Sequence, residues 1–93
     1  MNQNTNYRLV DVRTPQEYAN GHIPGAVNIP NESIQTFPPK QLPDKQEKIY
    51  TYCQSGMRSH QAEAKLKRMG YTDVQNIGGI SSYEGEVKTG MQP

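Results

Sequence analysis

The stretch Ile49-Tyr-Thr-Tyr-Cys-Gln-Ser-Gly-Met-Arg-Ser59 decides the fold. Its first four residues, Ile49–Tyr52, have high β propensity and no charge, so they read as a central strand. Cys53-Gln-Ser-Gly-Met-Arg58 breaks that pattern, and Gly56 supplies the positive φ that a tight turn needs. Ser59–Met69 then reads as a helix, because Ala62, Leu66 and Met69 share one face at i, i+4 and i+7. Lys65, Lys67 and Arg68 favour its negative C-terminal end, and Gly70 suits the position just past it. A strand that runs through a short loop into a helix is the building unit of a parallel α/β sheet.

The flanking sequence repeats the unit. Tyr7–Val12 alternates and carries β-branched residues, so it reads as a strand. Thr14 is a natural N-cap, Pro15 fits the first helical position, and Glu17 completes a capping box. Asn20-Gly21 ends that helix, and Ala26–Ile29 is a second short strand. Residues 30–46 hold Pro30, Pro38, Pro39 and Pro43 and read as connector, with a short helix or turn around Asn31–Gln35. Val74–Ile77 is the last strand, Gly78-Gly79 turns the chain, and residues 80–87 are expected to add a short helix. Helices are therefore expected on the faces of a parallel sheet, with ligands beyond the carboxyl ends of the strands, where Cys53 lies.

Composition excludes several classes. The 93 residues make one small domain with a modest core. The chain is 32% hydrophobic and has no run that approaches the ~18–20 apolar residues of a spanning helix. Residues 1–6 have neither a basic nor an apolar leader segment, so a cytoplasmic protein without a membrane partner is expected. The net charge of +1 gives no electrostatic case for nucleic acid. One cysteine rules out an intramolecular disulfide, and His22 and His60 are too few for a zinc site, so neither metal nor cofactor is expected.

The chemistry concentrates at Cys53. Successive backbone amides in such a turn form a nest for an anion, and the following helix points its positive end at the same place. Arg58 adds a charge at the rim. A cysteine in that field is favoured as thiolate, with pKa values of roughly 3.5–7.5 typical of such settings. A lone cysteine after a strand is otherwise a small buried hydrophobe. The Cys-x-Ser-Gly-x-Arg-Ser setting of Cys53 favours the nucleophile.

Three motifs extend this reading. Leu9-Val-Asp-Val-Arg-Thr-Pro-Gln-Glu-Tyr18, Gly21-His-Ile-Pro-Gly-Ala-Val-Asn-Ile-Pro30 and Tyr52-Cys-Gln-Ser-Gly-Met-Arg-Ser59 occur in that order, followed by Met69-Gly-Tyr71 and Asn76-Ile-Gly-Gly79. Together they resemble the rhodanese family of sulfurtransferases over roughly residues 7–85. The resemblance implies a three-layer α/β/α fold with a four- to five-stranded parallel sheet. The domain would span residues 7–88, between a frayed segment 1–6 and a tail 89–93. It further implies that Cys53 is the catalytic residue and takes sulfur from a small anionic donor such as thiosulfate. Gln54, Ser55, Gly56, Met57, Arg58 and Ser59 would bind the substrate and the resulting persulfide. A thiophilic acceptor, cyanide or a thiol such as that of a thioredoxin-like protein, would then remove the sulfur.

Other chemistries remain to be weighed. Phosphatases and arsenate reductases that are similar in fold place five residues between cysteine and arginine; Cys53 and Arg58 have four between them, a loop that favours sulfur. The second cysteine of a thiol–disulfide reductase cycle is missing. Gln54 stands where many single-domain relatives have arginine, and Tyr83 lies near the place of a common tryptophan. A non-enzymatic persulfide carrier or regulatory binding module with an exposed Cys53 is the alternative. Asp11 is expected to bond loop amides, Arg13 to pair with Glu17, and His22 to fix a turn. His60 is expected to be solvated at the helix start.

Overall fold

The structure, a computed structural model, describes residues 7–93. The frayed segment expected over residues 1–6 lies outside the described residues. The elements run β1 (Tyr7–Asp11), α1 (Pro15–Asn20), β2 (Val27–Asn28), a 3₁₀ turn (Asn31–Ser33), β3 (Lys48–Cys53), α2 (Met57–Arg68), β4 (Val74–Gly79) and a second 3₁₀ turn (Ile80–Ser82). All strand pairs are parallel, and the order across the sheet is β2-β1-β3-β4. The four- to five-stranded expectation resolves to four among the described residues.

Strand alternation divides the core between two faces. Ile49 and Cys53 of β3 and Val10 of β1 pack with Ala62 and Leu66 of α2, and Ile34, Leu42 and Tyr71 from the connectors close that side. Tyr52 points the other way and packs with Tyr18 of α1 and Ala26. These are the three layers of the expected α/β/α architecture. The prolines of residues 30–46 do not interrupt the sheet, because they lie in the β2–β3 crossover.

Local signals act as expected at α1. The Thr14 hydroxyl accepts from the Glu17 amide at 3.2 Å, and the Glu17 carboxylate accepts from the Thr14 amide at 3.0 Å, so the capping box is complete. Three boundaries differ. The major helix starts at Met57, not Ser59, because Gly56 at φ +106° turns the chain within three residues of β3. The last strand runs on to Gly79 instead of turning at Gly78, since an irregularity between Thr51 and Cys53 brings Cys53 opposite Gly79. Residues 80–87 give only a single 3₁₀ turn. Beyond it, Lys88 bridges His22, and the Gly90 amide donates to the Ala19 carbonyl at 2.8 Å.

Leu66 is fully buried where α2 meets β3. Leu66→Ala is expected to lower stability by about 2–5 kcal/mol, the range for a buried leucine truncated to a partly collapsed cavity. Urea unfolding should show it as a lower midpoint at unchanged slope.

Candidate active site

Cys53 is the last residue of β3, and α2 begins four residues later. The loop between them is only Gln54-Ser55-Gly56. Its amides are free of the sheet and of the helix, and the Gly56 N–H donates to Cys53 Sγ at 2.9 Å. Ser59, completely buried on the first turn of α2, places its Oγ 3.6 Å from the same sulfur. Burial pushes the Cys53 thiol up, but hydrogen bonds from the Ser59 hydroxyl and from the amides of Ser59, Gly56 and Ser55 outweigh it. The net effect lowers the pKa from its ordinary value, in the direction expected of a sulfur that accepts hydrogen bonds from the loop.

The residue is 1% exposed, which corrects the expectation of an exposed nucleophile. A groove lined by Ser55, Met57, His60 and Asn76 opens beside it. Met57 and His60 are exposed at its edge, as expected for a solvated His60. A second concavity, lined by Tyr7, Arg8 and Glu47, lies at the amino ends of the strands, the wrong edge for α/β chemistry.

The charges are arranged differently from the expectation. Arg58 does not stand free at the rim: its two Nη atoms donate to the two Glu17 oxygens at 2.7 and 3.0 Å. Arg13 pairs with Asp11 instead of Glu17, because Glu17 is already shared between Arg58 and the α1 cap. Asp11 takes the Arg13 Nε at 3.0 Å, an Nη at 2.7 Å and the Arg13 amide at 2.9 Å. That amide belongs to the β1–α1 turn and not to the Cys53 loop, so Asp11 braces its own turn instead of the loop amides expected of it. Arg13 also donates to the Gly21 carbonyl at 2.7 Å and lies 3.4 Å from Gln54 Oε1. Gln54 is thus steadied from β1, while its own backbone remains at the loop. His22 acts structurally: Nδ1 lies 2.9 Å from the Tyr18 carbonyl and Nε2 2.8 Å from that of Gln92.

Of the six loop residues expected to bind substrate, Ser55, Gly56 and Ser59 bring amides to the sulfur, and Gly56 also supplies the turn. Met57 lines the groove, the Gln54 side chain turns to Arg13, and Arg58 braces the loop against α1. Sequence reasoning missed Glu17 as the brace's other half, Asn76 and Gly79. Asn76 Oδ1 lies 2.6 Å from Ser59 Oγ. Gly79 has an ordinary φ of −122°, so space and not conformation demands glycine there. A Cβ would collide with the Gln54 carbonyl and come within 2.7 Å of Ser55 Cα.

Two outcomes follow. Gly79→Ala displaces the loop that donates to Cys53; loss of one hydrogen bond to the thiolate predicts about a tenfold slower alkylation of Cys53 at neutral pH. Glu17 is held down to about 2 by its hydrogen bonds with Arg58. A depressed carboxyl stabilises the fold above its ordinary value of 4.5, and that contribution is lost as pH falls from there toward about 2. Both side chains are about one-third exposed, so solvent screening holds it below about 1 kcal/mol. Urea titrations at pH 6 and pH 3 should therefore lose less stability on acidification in Glu17→Gln than in the parent protein.

Comparison with known proteins agrees with this geometry. The sequence profile of the rhodanese-like domain matches residues 1–86. Thiosulfate sulfurtransferase PspE of Escherichia coli is 41% identical over 71 residues, which cover 76% of this chain and 68% of that protein. A sulfurtransferase of Allochromatium vinosum is 43% identical over 76 residues, 81% of this chain and 69% of its own length. Among solved structures, a rhodanese with anions from E. coli superposes with a TM-score of 0.82 at 36% identity, over 90% of this chain and 99% of its own. The human single-domain sulfurtransferase TSTD1 gives a TM-score of 0.70 at 34% identity, over 80% and 76% of the two chains. With its strand order, its Cys53 loop and these relatives, the chain belongs to the rhodanese-like domain family.

Proposed function

We propose that this protein is a rhodanese-type sulfurtransferase that works through a persulfide on Cys53. The observation that carries the reading is the loop itself: a buried sulfur that receives the Gly56 amide at 2.9 Å, with a lowered pKa, in a fold shared with sulfurtransferases. In the first step the Cys53 thiolate attacks the outer sulfur of thiosulfate. A sulfur–sulfur bond forms to Cys53, the donor's sulfur–sulfur bond breaks, and its electron pair leaves with sulfite. The negative charge now rests on the terminal sulfur of the persulfide. In the second step cyanide or a thiolate attacks that sulfur, giving thiocyanate or a new persulfide, and the Cys53 thiolate leaves.

The backbone serves both steps. Preorganised N–H groups stabilise a charge that moves by one atom without any side chain having to rearrange. The three-residue link from Cys53 to α2 keeps those donors close, which suits a compact terminal sulfur better than a tetrahedral phosphate. A thiol acceptor of the thioredoxin-like kind fits a reducing compartment, and the reading takes the protein as cytoplasmic.

The test is cyanide-dependent thiocyanate formation by the purified protein. A rate above that of Cys53→Ser with thiosulfate is expected; no difference between the two would sink the enzymatic reading. Intact mass after exposure to donor should rise by about 32 Da on Cys53, the mass of one sulfur. Loading without turnover would leave the protein as a persulfide carrier.

A further inference from the structure

Ser59 Oγ is ringed by acceptors. Asn76 Oδ1 lies at 2.6 Å, the Gly56 carbonyl at 3.1 Å, the Gly78 carbonyl at 3.4 Å and Cys53 Sγ at 3.6 Å. A hydroxyl has one proton to give. The orientation of the Asn76 amide is set by its other neighbours: Oδ1 accepts from the Gly78 N–H at 2.9 Å, and Nδ2 lies 3.4 Å from the Gly56 carbonyl. Oδ1 is an acceptor only, so Ser59 must be the donor in the 2.6 Å contact. In that state Ser59 offers the sulfur a lone pair. A thiol can use it by donating its S–H; a thiolate cannot.

We propose that Asn76 is a positioning residue for Cys53, which competes with the sulfur for the single proton of Ser59. Asn76 does not hydrogen-bond the sulfur: it lines the groove beside the loop, meets the Gly56 carbonyl at 3.4 Å, and reaches Sγ through Ser59. While Cys53 is a thiolate, Ser59 turns its proton to Sγ and gives up the shorter bond. Once sulfur is loaded, the charge sits one atom further out, Sγ is neutral, and the proton returns to Asn76. The competition therefore makes the thiolate less favourable than the loop amides and a free Ser59 would make it, and it recovers that difference on loading. This inference rests on Cys53 being the nucleophile of the proposed reaction.

The charged and titratable groups around the cluster are Arg58, His60 and Glu63 on α2, Glu17 on α1, Asp11 and Arg13 at the end of β1, and Tyr52 on β3. Glu63 Oε1 accepts from the Asn76 backbone amide at 3.3 Å, a contact independent of the Asn76 side chain. All are kept in the variants below, so their field is common to the comparison.

The test is the pH profile of Cys53 alkylation by iodoacetamide in the full chain, for Asn76→Ala, Ser59→Ala and the double variant. Asn76→Ala should lower the midpoint by about one pH unit, the size of one hydrogen bond gained by a charged group. Ser59→Ala should raise it, and adding Asn76→Ala to Ser59→Ala should change nothing further. An unchanged midpoint in Asn76→Ala, or the same downward shift with and without the Ser59 hydroxyl, overturns the proposal. Should Asn76→Ala fail to fold, Asn76→Asp keeps the acceptor. It should raise the midpoint more with Ser59 present than in the Ser59→Ala background; an equal rise in both reports only the added charge and overturns the proposal. Alkylation requires no sulfur transfer, so this outcome is independent of whether the protein turns over thiosulfate.

Discussion

Backbone lies directly on backbone where the end of β4 meets the start of the Cys53 loop, and the site depends on that contact. Gly79 stands against the Gln54 carbonyl and Ser55 Cα with no room for a side chain. The same carbonyl accepts from the Ser81 amide at 3.2 Å. The irregularity between Thr51 and Cys53 makes the approach possible by pairing Cys53 with Gly79. With the Gln54 carbonyl engaged on the β4 side, the Gly56 amide is left to face the sulfur. A loop of three residues has too few internal contacts to fix its own shape. Here the neighbouring strand fixes it.

That constraint explains how the polar surroundings of the sulfur are built with little net side-chain charge. Arg58 is matched to Glu17, and Arg13 to Asp11 within a nearly fully buried pair. Neither guanidinium is a free counter-ion. The polar surroundings of the Cys53 sulfur come instead from the Ser59 hydroxyl and from N–H groups at the loop and the start of α2, whose positions are already paid for by folding. The ion pairs have a mechanical role: Arg58–Glu17 ties the first turn of α2 to α1 across the carboxyl edge of the sheet, and Arg13 reaches Gln54 from the end of β1.

Much of this was legible in the residues themselves. The Thr14–Glu17 capping box, the positive φ of Gly56 and the basic last turn of α2 are local, and local chemistry decides them. The α/β layering follows from strand and helix periods that alternate along the chain. What was not legible depends on distant partners. Glu17 is a perfect cap residue, so nothing in its neighbourhood announces a second bond to Arg58, 41 positions away. Asn76 did carry a signal: it shares the inward parity of Val74, and a polar residue on an inward position needs a buried partner. The Gly78-Gly79 pair reads as a turn because glycine usually serves conformation, whereas Gly79 serves close packing. The burial of Cys53 was hidden for a similar reason, since it is produced by α2 and β4 closing over the end of β3.

The all-parallel order of the sheet has a consequence for when the surroundings of the sulfur take shape. No two neighbouring strands are joined by a hairpin; β1 meets β3 with about forty residues between paired positions, and β3 meets β4 across the whole of α2. Such long-range pairings form late and together, after the chain entropy of closing large loops has been overcome. Until β4 docks, the Cys53 loop has no strand to hold its amides in place, and the cysteine behaves as an ordinary thiol. The surroundings that lower the Cys53 pKa are thus completed only with the fold, which couples the state of the thiol to structural integrity.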